Sequence, residues 1–354
     1  MKGLILSGGR GTRLRPITHT SAKQLVPVAN RPILFYGIDA MRAAGITEIG
    51  IIVGDTAAEI RHAVGDGSRF GVSVEYIQQE APLGLAHAVS IARDFLFGER
   101  FVVYLGDNLI ADGLTSIVEA FEASAAEAMI LLAEVPEPQR FGVAELSDGR
   151  IVSLVEKPVV PRSNLALVGV YLFSPYIFEA IDRIEPSPRG ELEITDAIQR
   201  VIDDGRQVVP HVISGWWKDT GRLEDMLEAN RMLLDGLVPR VDGELGQNVR
   251  LEGKVVIEKG ARLRDCVVRG PAIIGERTVI ENAYVGPFTS IYYGCTLRNS
   301  EIEHSIVLAN SRIEDVPTKI EGSLIGKDCV VCPAPLRPRA LKLMLGDHSR
   351  VELS

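Results

Sequence analysis

An excess of positive charge is missing from this 354-residue chain: 38 Lys and Arg stand against 47 Asp and Glu, a formal net charge of −9. A protein whose partner is nucleic acid needs the opposite balance, because phosphate neutralisation dominates such binding. A nucleotide is still an acceptable ligand if basic residues gather locally. Cysteine is scarce as well. The four are Cys266, Cys295, Cys329 and Cys332; the last two make a C-x-x-C, with no second pair at zinc spacing. Neither a disulfide framework nor a structural zinc site is therefore expected, and the thiols read as buried or inert. No apolar run approaches the ~20 residues of a membrane span. The N-terminus enters a strand without a signal-peptide pattern. These absences point to a cytoplasmic protein that does not engage a membrane. Two familiar phosphate loops are absent too. No Lys-Ser or Lys-Thr follows the N-terminal glycines as a P-loop requires, and the dinucleotide fingerprint begun by Gly9-Arg10-Gly11 fails at Leu14.

A length of 354 residues with 46% hydrophobic and 24% charged residues fits a globular chain of two domains. Its organising stretch is the first strand, Leu4 to Leu6, and the loop that leaves it. That loop carries Gly8, Gly9 and Gly11, three arginines (Arg10, Arg13, Arg15) and, shortly after, Lys23. Glycines in this density expose consecutive backbone N–H groups to an anion, and the cations add to the attraction. The combination suits a polyphosphate better than an ordinary glycine turn.

Strands then alternate with helical patterns, which predicts a largely parallel sheet covered by helices. Strands are expected at 49–53, 72–76, 101–105 and 129–135, and helices from Pro32 to Gly45 and over 82–93. Ligands in such sheets sit beyond the carboxyl ends of the strands. Gly8 and Asp107 both stand at such ends and are expected to face one crevice. From about residue 140 short strands (143–146, 151–156, 167–173) mix with helices (175–184, 193–204), and a helix at 223–234 closes the section. Gly236-Leu237-Val238-Pro239 reads as a linker, placing a boundary between 1–237 and 238–354. Beyond it Val279, Val285, Ile291 and Leu297 recur every six residues, with slips near Ile302 and Ile313. Such a period suits the coils of a parallel β-helix. A Pro-rich tail from Pro333 is expected to cap or trail the stack.

The run L-S-G-G-R-G-T-R-L-R-P followed by K-Q-L-V-P-V resembles the signature of the sugar-1-phosphate nucleotidylyltransferases, and Gln24 after Lys23 resembles their thymidylyltransferase branch. Further matches are L-G-D-N, F-G-V-A-E, E-K-P, L-V-G-V-Y-L-F, R-G-E-L-E-I-T-D and W-W-K-D-T-G. The resemblance implies a Rossmann-like α/β domain with a mixed, mainly parallel sheet, followed by a left-handed parallel β-helix as in the long-form members. It implies attack of a sugar 1-phosphate on the α-phosphorus of a nucleoside triphosphate. The substrates would be dTTP and glucose 1-phosphate, the product dTDP-glucose and the cofactor Mg²⁺. Arg13, Lys23, Asp107, Lys157 and Asp219 would carry the chemistry, with Asp107 and Asp219 as metal ligands. The nucleotide would lie against Leu6, Gly8, Gly9, Gly11, Thr12, Arg13, Gln24, Gln79, Gly84, Leu85 and Asp107. The sugar phosphate would meet Gly142, Glu156, Lys157, Val168, Tyr171, Glu191 and Trp217. A glutamine amide matches the donor–acceptor edge of thymine or uracil. The β-helix is expected to mediate homo-oligomerisation.

Some readings stay open. Trp217 serves equally as a core aromatic. Phe141 replaces a Tyr found in many relatives, and His87 replaces a Gln. UTP or another sugar 1-phosphate would change the substrate without changing the site. A second chemistry, acyl transfer by the repeat section, would rest on His304, and a non-catalytic regulatory chain would have lost the charged residues that this one keeps.

Overall fold

The computed structural model describes residues 1–9, 11, 14–15, 17–19, 22–334 and 351. Arg10, Thr12 and Arg13 of the glycine–arginine stretch, and the tail at 335–350, lie outside the described residues. The chain divides into two compact units. The first is Met1–Arg10, Ser21–Leu25 and Ile33–Asp219; the second is Gly11–Thr20, Val26–Pro32 and Thr220–Ser354.

In chain order the strands up to residue 219 are β1 (Lys2–Ser7), a small hairpin of β2 (Pro27–Val28) and β3 (Arg31–Pro32) counted with the second unit, β4 (Glu48–Val53), β5 (Ser73–Gln78), β6 (Phe101–Leu105), β7 (Asn108–Ile110), β8 (Ala128–Glu134), β9 (Gly142–Ser147), β10 (Arg150–Glu156), β11 (Leu165–Phe173), β12 (Val208–Val212) and β13 (Trp217–Asp219). The helices are α1 (Ile33–Ala43), α2 (Ala57–Val64), α3 (Leu85–Ser90), α4 (Thr115–Glu122), α5 (Tyr176–Ile181), α6 (Ile194–Asp203) and α7 (Leu223–Asp235).

The first unit is a mixed nine-stranded sheet in the order β10-β9-β11-β6-β1-β4-β5, with β8 paired to β11 and β12 to β8. Its centre is parallel: β1 lies between β4 and β6, with Ile5 opposite Ile51 and Tyr104. Both faces are covered. Leu4, Leu6, Phe101 and Val103 pack into one cluster, while Ile5, Val102 and Tyr104 pack into another. This alternation explains why β1 and β6 read as continuous apolar runs. On α6, Ile194, Ala197, Ile198 and Val201 follow the i, i+3, i+4, i+7 spacing and join the first cluster.

The helix expected over 82–93 is shorter, and the cause is Gly84. Its φ is +106°, outside any helical region, so α3 starts after it. A Cβ there would lie 2.3 Å from the Leu192 carbonyl oxygen, so no other residue fits. Past Ser90 the bonds from Ala92 and Arg93 reach back three residues instead of four, and the α-helix ends.

In the second unit the strands from Arg240 onward stack into three parallel sheets of six, six and five strands, the sides of a parallel β-helix. Each coil contributes one short strand to each side. Val255 pairs with Ala272 and Ala272 with Thr289, steps of 17 residues. Leu297 to Ile313 is a step of 16 and Ile302 to Ile320 a step of 18, which accounts for the slips in the six-residue period. One corner is lined by Asn248, Asp265, Asn282, Asn299 and Asp315, all at positive φ. Their side chains bond from coil to coil: Asn248 to Asp265 and Asn282 to Asn299 at 2.8 Å, and Asn299 to Asp315. Asn and Asp tolerate the left-handed conformation that this corner demands. Among the described residues no helix is long and apolar enough to cross a membrane.

Candidate active site

β1 and β6 run side by side, and Leu6 lies opposite Leu105. The residues that follow them therefore emerge together: the Gly106 N–H donates to the Leu6 carbonyl at 3.0 Å. Gly8 and Asp107 therefore follow the carboxyl ends of two adjacent strands. Gly8 is closely flanked, since a Cβ would lie 2.7 Å from Gln79 Oε1, whereas among the described residues nothing stands within 4 Å of the Cβ position at Gly9. Gly9 thus presents open backbone to whatever enters. Gln79 Nε2 lies 3.1 Å from His87 Nδ1, so His87 fixes the orientation of the Gln79 amide.

Lys23 lies in a 3₁₀ turn over Lys23–Leu25 with its side chain only 7% exposed. Its ammonium donates to Asp107 Oδ2 and lies 3.9 Å from Asp219 Oδ1. The two aspartates, 112 positions apart in the chain, meet through the ribbon in which β7 pairs with β13 and Asn108 lies opposite Asp219. Burial raises the Asp107 carboxyl, but Lys23 and the Asn108 amide outweigh it and hold it below the ordinary carboxylate range. Both carboxylates converge on one cationic point. Hard oxygen donors around a positive charge are what a small divalent ion requires, so this pair fits such an ion.

A second charged group lies at the end of β10. Glu156 stands opposite Gly142 in the β9–β10 pair, and a Cβ on Gly142 would come within 3.1 Å of Glu156 Oε2. The Lys157 N–H donates to the Phe141 carbonyl at 3.0 Å, and its ammonium lies 3.4 Å from Glu156 Oε1. Arg189 joins this group. Its guanidinium lies 3.5 Å from Glu156, 3.2 Å from Glu191 and 3.3 Å from Glu193. Burial raises the Glu193 carboxyl, and the Ser187 hydroxyl and Arg189 offset part of that. Two cations and three carboxylates thus form one ion-paired cluster.

The remaining expected residues divide. Gln24 is buried, and its Oε1 has no hydrogen-bond partner among the described residues. Leu85 opens α3 beside Gly84. Tyr171 stacks on Phe173 at 5.9 Å; burial, then the Glu156 charge, raises its hydroxyl pKa. Leu6 and Val168 are core residues whose side chains pack in opposite clusters, so only their backbone is available to a ligand. Trp217 packs as an aromatic: its ring meets Phe141 edge-on at 5.1 Å and its indole N–H donates to Asn108 Oδ1. Gly11 is counted with the second unit.

Sequence reasoning missed Arg189, Asn108 and Gly169, although each lies inside one of the matching motifs. At Gly169 β11 bulges, with φ +77°, and a Cβ would lie 2.8 Å from Leu105 Cδ1 and 3.2 Å from Asn108 Nδ2. In the β-helix His304 packs against Phe288 at 5.2 Å with Nδ1 buried. The carboxylates beside it, Glu303 and Glu321, already pair with Lys319.

The nucleotidyl transferase family profile matches residues 2–236. The chain belongs to the nucleotidyl transferase family. It is 57% identical over 355 aligned positions to a glucose-1-phosphate thymidylyltransferase of Streptomyces griseus, covering all of both chains. It is 54% identical to one of Streptomyces antibioticus, covering all of this chain and 99% of that one. A Bacillus anthracis structure described as a glucose-1-phosphate thymidylyltransferase, solved with sucrose, aligns at TM-score 0.64 and 37% identity. That alignment covers 68% of this chain and 98% of the other. In this nucleotidyl transferase, then, the carboxyl ends of β1 and β6 lie within the matched region.

Proposed function

We propose that this nucleotidyl transferase moves a thymidylyl group from dTTP to glucose 1-phosphate, releasing pyrophosphate and forming dTDP-glucose. The observation that carries the reading is Lys23 drawn to both Asp107 and Asp219 beside the glycine loop. The two relatives identical at 57% and 54% over the full chain, each named for this reaction, support it.

The reaction brings two anions together. A sugar-phosphate oxygen forms a bond to the α-phosphorus, the bond from that phosphorus to the bridging oxygen breaks, and pyrophosphate leaves with the electron pair. The nucleophile is already ionised, so the protein has only to position and neutralise. Backbone N–H groups at Gly8 and Gly9, together with Gly11, Thr12 and Arg13, hold the triphosphate. Lys23 compensates charge at the α-phosphate. Gln24 and Gln79 read the pyrimidine edge, and the Gly84–Leu85 turn brings backbone and side chain to the base. Lys157 and Arg189 hold the sugar phosphate, while Glu156, Glu191, Tyr171, Trp217 and the backbone of Gly142 and Val168 surround the sugar. Asp107 and Asp219 would hold Mg²⁺, which when bound draws charge from the phosphates and lowers their repulsion. We assign catalysis to 1–237, a role in self-association to 238–354, and the enzyme to the cytoplasm.

The test is pyrophosphate release across a matrix of nucleoside triphosphates and sugar 1-phosphates. The reading predicts the highest kcat/KM for dTTP with glucose 1-phosphate, and weaker use of UTP, since one methyl distinguishes the bases at about 1–3 kcal/mol. A preference for a purine triphosphate, or no release with any pair, would overturn it.

A further inference from the structure

We infer that Trp217 and Asn108 form a relay that fixes the orientation of the Asp107 carboxylate, which makes Asn108 a positioning residue for the metal. The inference rests on the assignment of Asp107 as a metal ligand above.

The argument is one of donors and acceptors. Asn108 is 2% exposed, so water does not compete for its amide. An amide has a donor end and an acceptor end of nearly equal shape, and nothing internal decides which way it points. Its two neighbours decide. The indole of Trp217 can only donate, and it faces Oδ1. The carboxylate of Asp107 can only accept, and Nδ2 donates to its Oδ1 at 2.9 Å. Only one orientation satisfies both, and the reverse would set a carbonyl against the carboxylate and an NH₂ against an N–H.

The amide is also held in place. The Tyr104 hydroxyl donates to the backbone carbonyl of Asn108 at 3.0 Å. On the Nδ2 side Gly169 has room only for hydrogen, because a Cβ would approach that nitrogen to 3.2 Å. The ring of Trp217 is set by Phe141, so the donor does not wander. The β7–β13 pairing joins the whole relay to Asp219. With Oδ1 of Asp107 bound by the amide, Oδ2 is the oxygen directed at the cationic point that Lys23 shares with Asp219.

Partners that orient a metal ligand typically change metal affinity by about 10–100-fold when removed. The experiment is Mn²⁺ binding followed by water-proton relaxation enhancement, on the full chain with dTTP present and no sugar phosphate, so that nothing turns over. Asn108→Ala and Trp217→Phe are measured singly and together, with Tm as a check of folding. If Asn108→Ala does not fold, Asn108→Ser takes its place. A relay predicts that each single variant weakens Mn²⁺ binding about tenfold, and that the double variant is no weaker than the worse single, because the two act through one carboxylate. Wild-type Mn²⁺ affinity in Trp217→Phe, or losses that multiply in the double variant, would overturn the relay. A wild-type protein that binds no Mn²⁺ with dTTP would instead remove the metal assignment on which the relay stands.

Discussion

Asp107 carries opposing pressures, and its state sets a pH dependence. Burial favours the neutral acid, while Lys23 and Asn108 favour the carboxylate and prevail. Its folded pKa is therefore depressed. The stability it supplies is fully present above the unfolded carboxylate value of about 3.9 and is lost as pH falls through the lower folded value. Asp107→Asn should thus show a lower Tm than wild type at pH 7, with the difference closing as pH is lowered through and below 4; a constant difference would mean that the carboxylate is not stabilised by these partners. The same variant should lose about a hundredfold or more in turnover. Lys157→Ala, at the other charged group, should raise KM for glucose 1-phosphate about ten- to a hundredfold with little change for dTTP, the worth of one charged hydrogen bond at about 1.5–3 kcal/mol. The reverse pattern in initial rates would move Lys157 to the nucleotide side. At this scale the motifs were legible because each expected charge stands in a short local pattern. Arg189, Asn108 and Gly169 were not, because each also meets a partner far along the chain, Glu156, Trp217 and Leu105 in turn, that no local spacing reveals.

At the scale of elements, two glycines separate function from architecture. The β1 loop at Gly9 leaves the Cβ position open, so Gly9→Ala should keep the wild-type Tm while weakening dTTP binding. Gly169 is the opposite case. Its positive φ and its contacts with Leu105 and Asn108 make Gly169→Ala strained, at about 1–2 kcal/mol from the backbone alone. Urea denaturation of the two variants should rank them in that order; equal stabilities would contradict the bulge described for β11. The central strands were readable as elements because a short unbroken apolar run bounded by turn residues suits a strand buried on both faces. The ribbon of β7 and β13 was not, since three-residue strands carry no period, yet it is the ribbon that brings Asp107 and Asp219 together.

For the whole molecule, the second unit is tied to segments that a linear reading assigns elsewhere. Asn230 of α7 is buried and fully bonded: Oδ1 accepts from the Ala29 N–H and the Ser290 hydroxyl, both at 2.8 Å, and Nδ2 donates to the Phe288 carbonyl at 3.0 Å. Beside it Leu234 packs with Val256 and Ile273. Asn230→Ala would leave the half-buried Ala29 N–H and Phe288 carbonyl and the buried Ser290 hydroxyl without this partner, at about 1–3 kcal/mol for a buried group, and should lower Tm by several degrees without changing KM for dTTP. An unchanged Tm would show that α7 and the coils are not held by this amide. The β-helix was legible because apolar residues recur at near-constant intervals. Its true step of 16 to 18 residues was blurred because individual turns differ by a residue. The joining of α7 and the β2–β3 hairpin to the coils was hidden, since it rests on single amides.

The most direct test of the account is a crystal structure with dTTP and Mn²⁺, using the anomalous signal to locate the ion. The account predicts a peak within about 2.3 Å of carboxylate oxygens of both Asp107 and Asp219, with the triphosphate against Gly8 and Gly9. A peak at Glu303, His304 and Glu321, or a nucleotide away from the β1 loop, would contradict it.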